Sequence, residues 1–319
     1  MKSGDREDLR RLSAEAILKN LKALAAQIPG VRARRGSEPV HDLRVASRRV
    51  RTALRLLDDA APSKRYRRWN RELKRLASAL SRARDTDVQA AFLREFLKAH
   101  RDARLRPGIQ RLLLRLRDRR EKQQVKVTKE LDRFVARGTL REIRREFQRL
   151  KKDRRRAGLS LSGSAVAEKP AHAAHAPRPI LKRLDKMLAY EQFIARPERR
   201  KELHRMRVAA KHCRYTMEAF APRYGGRLRP WIRAMRQIQS DLGEIHDCDV
   251  WIHEALPKFL ADERGRTRRA EIKPAIAALL RDRRRRRGAV YRAFLRRWKQ
   301  LRRKKMFERL TRERMSEED

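Results

Sequence analysis

The sequence predicts an all-α chain of two related helical bundles, and three observations predict it. Apolar residues recur at helical spacing through most of the chain, a charged-striped helix occurs twice, and a second motif follows each copy at nearly the same separation. The first striped stretch is Val40 to Leu57, VHDLRVASRRVRTALRLL. His41, Arg44, Arg48, Arg51 and Arg55 fall at steps of three and four, which sets them on one helical face. Leu43, Ala46, Val50, Leu54 and Leu57 follow the same steps roughly 200° around the helix. One side suits a core, while the other is a nearly unbroken row of positive charge. Like charges at this spacing repel. The stripe is therefore either a solvated face or a surface compensated by an anion or by carboxylates.

The second copy is Leu203 to Phe220, LHRMRVAAKHCRYTMEAF. His204, Arg207, Lys211 and Arg214 stand 163 residues beyond His41, Arg44, Arg48 and Arg51, and the fifth position changes from Arg55 to Glu218. The segment LSRARDTDV, Leu80 to Val88, matches LGEIHDCDV, Leu242 to Val250. Asp85 pairs with Asp247 and Asp87 with Asp249 at an offset of 162, which Trp69 and Trp231 also keep. Two motifs held in register imply a duplicated unit.

In chain order, a charged start precedes a helix through Leu12, Ala16, Leu21, Leu24 and Ile28, which Pro29-Gly30 should end. Pro39 suits the first turn of the striped helix, which should stop near Pro62. Ser63 to Ala83 reads as a helix facing a core with Trp69, Leu73, Leu76 and Leu80. Arg84 to Asp87 marks a bend or a helix start. Asp85 or Asp87 would cap the next helix or hold stripe arginines in orientation by charge-assisted bonds. A long helix follows Pro107 through Leu113, Leu116, Val127, Leu131 and Phe134. Its Arg115, Arg119 and Lys122 either extend the cationic surface or lie in solvent. Gly138-Thr139 breaks it before a further helix, Leu140 to Lys151. The stretch from 153 to 179 mixes Gly, Ser, Ala and Pro without apolar period and reads as a flexible linker. The second half then repeats the first, closing on a long helix from Ala275 to Leu301 and a short amphipathic one from Met306. The organisation read this way is a first repeat over 1–152, the linker, a second repeat over 180–303 and a tail over 304–319.

Composition bounds the partners. The 319 residues hold 88 Lys and Arg against 40 Asp and Glu, a formal net charge of +48. Such a body attracts polyanions, and nucleic acid is the first class to weigh. Aromatic residues at 6% argue against base-stacking platforms. No helix-turn-helix, zinc-finger or RNP pattern is visible. The two cysteines, Cys213 and Cys248, make no disulfide framework and fit a reducing compartment. Residues 1–30 hold no apolar core of a signal peptide, and no stretch has the length of a membrane span, so a cytoplasmic location is the expectation. His212, Cys213, His246, Cys248 and His253 lie in the second half, but without a C-x-x-C pair a zinc site is not expected. No P-loop or acidic metal cluster marks kinase chemistry, and a nucleophilic histidine needs a positioned partner, so an enzyme is not expected.

The H-x-x-R-V-x-x-(R/K)-x-x-R helix followed by D-x-D-V, present in both halves, resembles the CHAD family over about Leu12 to Leu301. The resemblance implies an all-helical fold of two pseudo-symmetric bundles around a basic groove or pore. It also implies binding of inorganic polyphosphate with no catalytic metal and no cofactor. A linear anion without bases needs repeated donors along a track, which arginine forks and lysine point charges supply. The expected phosphate ligands are Arg44, Arg48, Arg51, Arg207, Lys211 and Arg214. His41 and His204 would add N–H donors that gain charge as pH falls. Asp85, Asp87, Asp247 and Asp249 are the supporting residues. Association with polyphosphate granules and weak nucleic-acid binding at low salt complete the reading. The competing one is a sequence-nonspecific nucleic-acid binder acting through phosphates.

Overall fold

A computed structural model describes residues 3–100, 102–156, 178–224, 226–263 and 266–312. The described residues form α-helices with short 3₁₀ and π turns and no strand. The chain divides into two compact units, Met1–Gly163 and Ser164–Asp319. Most of the expected linker and the end of the expected tail, 313–319, lie outside the described residues. No described helix is long and apolar enough to cross a membrane.

The first unit contains α1 (Ser3–Arg32), α2 (Glu38–Ala60), α3 (Lys64–Ala99), α4 (Arg106–Ala136) and α5 (Thr139–Arg156). Its core interleaves Ile17, Leu21 and Leu24 of α1 with Leu43, Val50, Leu54 and Leu57 of α2. Leu73, Leu76 and Leu80 of α3, Leu131 and Phe134 of α4, and Ile143 and Phe147 of α5 close it. On α1 the inward residue is Ile17, and Ala16 faces solvent. α1 also runs through Pro29 to Arg32. One more turn buries Val31, whose carbonyl accepts from Gln124 Nε2 at 3.0 Å, and this tertiary bond outweighs the donor missing at proline. Gly30 is required there, since a Cβ would lie 2.9 Å from Pro39 Cγ at the start of α2.

α3 continues without a break through Arg84–Asp87. The reason is a buried row, Leu80, Ala83, Thr86 and Leu93, that keeps helical spacing across the acidic motif. Asp85 and Asp87 therefore sit inside a helix and cap nothing.

The second unit contains α6 (Arg178–Leu188), α7 (Arg200–Phe220), α8 (Arg229–Val250), α9 (Leu256–Ala261), α10 (Arg266–Arg303) and α11 (Met306–Arg312). Met206, Ala210, Cys213 and Met217 of α7 are buried, as are Met235, Ile238, Leu242 and Ile245 of α8. Asp247 and Asp249 lie in the last turn of α8, and the chain passes directly into a π-helical turn, Trp251–Ala255. The four tryptophans are core residues. Trp69 donates its indole N–H to Glu142, Trp231 to the Met306 carbonyl and Trp298 to Glu191.

Candidate functional site

In the first unit the predicted stripe does occupy one face of α2, but it is not a freely solvated one. His41, Arg44, Arg48, Arg51 and Arg55 are all partly buried, while Asp42 and Arg49 on the neighbouring flank are exposed. The face turns toward α3, where Arg51 Nε donates to Asn70 Oδ1 at 3.2 Å. Arg55 Nε donates to the Arg51 carbonyl at 3.4 Å. Burial, and then the charge of Arg55, push the Arg51 guanidinium down to about 10. That is the signature of cations crowded in a sheltered row. The buried Nδ1 of His41 makes no hydrogen bond.

The second unit builds the same face on α7 against α8. His204, Arg207, Lys211 and Arg214 are again partly buried, and His204 Nδ1 is buried without a hydrogen bond, as is Arg207 Nε. Arg207 crosses α8 beside Gly243, where a Cβ would stand 3.5 Å from its Nε. Its charge favours the carboxylate form of Asp247, which is exposed on α8. Arg214, 14% exposed at its side chain, donates to Glu218 at 3.2 Å and lies 4.6 Å from the centre of the Tyr215 ring. The His204 ring lies against His246 of α8, with centroids 4.2 Å apart. Burial lowers the pKa of both histidines. His204 is further lowered by His246, Arg207 and Lys211, and His246 by Arg207.

The acidic motifs do something that their spacing does not specify. Asp87 accepts from Arg120 of α4 at 2.9 Å, and Asp249 accepts from Arg287 of α10 at 2.6 and 3.4 Å. Both pairs are largely shielded from water, the second more so, with side chains 7% and 16% exposed. Neither arginine belongs to a stripe. Each pair ties the helix bearing the acidic motif to the long helix after it. Arg120 also reaches Gln124 at 2.8 Å, and Arg287 also reaches the Pro197 carbonyl at 2.6 Å. The partners lie 33 and 38 residues apart in a charge-rich chain, so spacing alone could not pick them from their neighbours.

Cys213 and Cys248 are buried, and burial pushes their thiols up to about 12 and about 11. They are core thiols at neutral pH. No group of three His, Cys, Asp or Glu side chains that could hold a metal ion occurs among the described residues.

Comparison with known proteins agrees with this architecture. The family model of the CHAD domain matches residues 15–256, ending at the start of α9. A crystal structure of the CHAD domain from the plant Ricinus communis is similar at a TM-score of 0.56 and 20% identity, over 90% of this chain and 91% of that one. At that identity the likeness speaks for the fold alone. No curated protein matches the chain. With three quarters of its length under the family model, and with both striped helices and both acidic motifs inside the match, the chain belongs to the CHAD domain family.

Proposed function

We propose that this chain binds inorganic polyphosphate along its two striped faces, through His41, Arg44, Arg48 and Arg51 on α2 and His204, Arg207, Lys211 and Arg214 on α7. The observation that carries the reading is the same ordered set of cations, half-sheltered against the next helix in each unit. Shelter lowers the local dielectric and strengthens each contact with an anion. It also costs self-repulsion, as at Arg51, which a bound phosphate chain would relieve. The CHAD family is associated with polyphosphate in general. The internal duplication, with matched stripes and matched Asp–Arg bridges, and the basic groove or pore implied by the family belong to the same proposal. The role is binding and not catalysis, in the cytoplasm and at polyphosphate granules.

The charge of +48 supports a second reading, nonspecific nucleic-acid binding through phosphates at low salt. A charge-matched pair of variants separates the two readings. Arg44→Ala with Arg207→Ala should weaken polyphosphate binding about a hundred-fold, on the scale of two charge-assisted bonds removed. Removing the exposed Arg285 and Arg296 should change it less than about three-fold. Equal losses would leave only total charge as the determinant.

A further inference from the structure

We infer that His246 is an additional anion ligand of the second unit, and that the His204–His246 pair takes up a proton when a phosphate chain binds there. The inference rests on the polyphosphate reading and adds a residue and a regulation to it. His246 is not part of either repeated stripe. It stands on α8 where the first unit carries Arg84 on α3, at the same offset of 162 that aligns Asp85 with Asp247. A permanent cation at one position is thus replaced by a titratable one at its counterpart.

The geometry gives that replacement a consequence. The two imidazoles lie in contact, with centroids 4.2 Å apart, and His204 Nδ1 is buried without a hydrogen bond. Two imidazolium ions cannot share that space beside Arg207 and Lys211 without an anion. The surrounding charges are mixed. From α7, Arg207 and Lys211 oppose protonation of His204, and Arg207 also opposes that of His246. On α8, Asp249 favours a proton on His246, but Asp249 is held by Arg287 of α10, and Glu244 is held by Arg286. Asp247 is exposed, and the charge of Arg207 favours its carboxylate form. From the π turn, His253 Nε2 lies 4.0 Å from Asp249. From α6, Arg183 and Asp185 act on Cys213. The carboxylates near the pair are thus engaged by arginines or, at Asp247, face solvent, and burial keeps the pair neutral near pH 7.

A phosphate chain laid along Arg207 and Lys211 reverses the balance. Negative charge raises both histidine pKa values, so the bound state holds more protons than the free state between the two sets of values. Affinity must then rise as pH falls from about 7.5 toward 5.5, by about ten-fold for every pH unit that separates a histidine's bound and free pKa values. The first unit, with Arg84 at the equivalent position, lacks this second titratable group.

The test is isothermal titration calorimetry of sodium tripolyphosphate into the full chain at pH 6.5, in two buffers of different ionisation enthalpy. His246→Arg copies the first unit, and His246→Gln removes the charge with little change in size; far-UV circular dichroism checks that both variants fold. Protonation of the ligand's own terminal phosphates is common to all three proteins and cancels in the comparison. The expected result is that wild type takes up about half to one proton more per anion than either variant. His246→Arg should keep its affinity across pH 7.5 to 5.5 within about three-fold, while wild type gains about ten-fold. Proton uptake equal in all three proteins, with binding intact, would overturn the role of His246 and leave the polyphosphate reading standing. No binding by any of them, at any pH tested, would overturn both.

Discussion

On α2 the stripe ends in Arg55, whose charge adds to burial in depressing the Arg51 pKa; on α7 the same position is Glu218, which holds Arg214 and is approached by Arg236 at 3.5 Å. The difference continues on the neighbouring helix, where Arg84 of the first unit becomes His246 of the second. One spacing thus supports two electrostatic designs. The first face keeps permanent charge and accepts repulsion, so it has the most to gain from an anion. The second is tempered by a carboxylate and by two histidines whose pKa values burial lowers, so under the proposed reading its affinity should respond to pH. Two helices with the same spacing of cations can thus differ in charge balance through single substitutions.

The largest effect should come from removing one face at a time. Arg44→Ala, Arg48→Ala and Arg51→Ala together should weaken long-chain polyphosphate binding about a thousand-fold at pH 7.5 and low salt. The matching triple at Arg207, Lys211 and Arg214 should cost about a hundred-fold, because Glu218 already occupies Arg214. The slope of log affinity against log salt should flatten by about 0.7 for each phosphate left without a cationic partner. Equal losses from the two triples would erase the distinction between the faces.

Next in size are the shielded bridges, read by urea unfolding. Asp249→Ala leaves Arg287, in the better-shielded pair, with only the Pro197 carbonyl and should cost about 3 kcal/mol. Asp87→Ala should cost less, about 2 kcal/mol, because the Asp87–Arg120 pair is the less shielded of the two. The reverse order would show that shielding does not set the strength of these pairs.

Exchanging the fifth stripe residues should act more gently. Glu218→Arg should raise polyphosphate affinity about two- to three-fold and Arg55→Glu lower it by a similar factor, the scale of i,i+4 pairs near a surface. Fluorescence anisotropy with labelled polyphosphate would resolve both. The smallest contrast is between two glycines. Gly30→Ala drives a Cβ into Pro39, whereas Gly288→Ala in α10 meets the Arg292 guanidinium only at ordinary van der Waals distance. The first should destabilise by about 1 kcal/mol, and the second stabilise by a similar amount through helix propensity.

The helices were legible because their apolar residues keep the period of the fold. Leu43, Ala46, Val50, Leu54 and Leu57 are all buried, as the spacing requires, and Cys213 lies on the apolar side of α7. Local rules failed where tertiary contacts overrode them. Pro29 does not end α1, since Val31 and Gln124 reward another turn, and Asp85 and Asp87 do not start a helix, since α3 is buried on both sides of them. The stripes were visible as patterns, but their shelter against α3 and α8 depends on packing that the pattern does not contain. His246 stands in plain sight beside Asp247, yet its residue type suggests only a metal ligand. Its closeness to His204 spans two helices and leaves no trace in the spacing. The Asp–Arg bridges stayed hidden for a similar reason: among so many arginines, sequence cannot say which two turn inward.

The most direct measurement is a parallel titration of the full chain with labelled long-chain polyphosphate and labelled duplex DNA, from low to physiological salt. The striped faces predict that polyphosphate binding persists at physiological salt, at least a hundred-fold tighter than DNA, with the gap widening as salt rises. Equal affinities and equal salt slopes for the two polymers would contradict the account and reduce the site to undifferentiated positive charge.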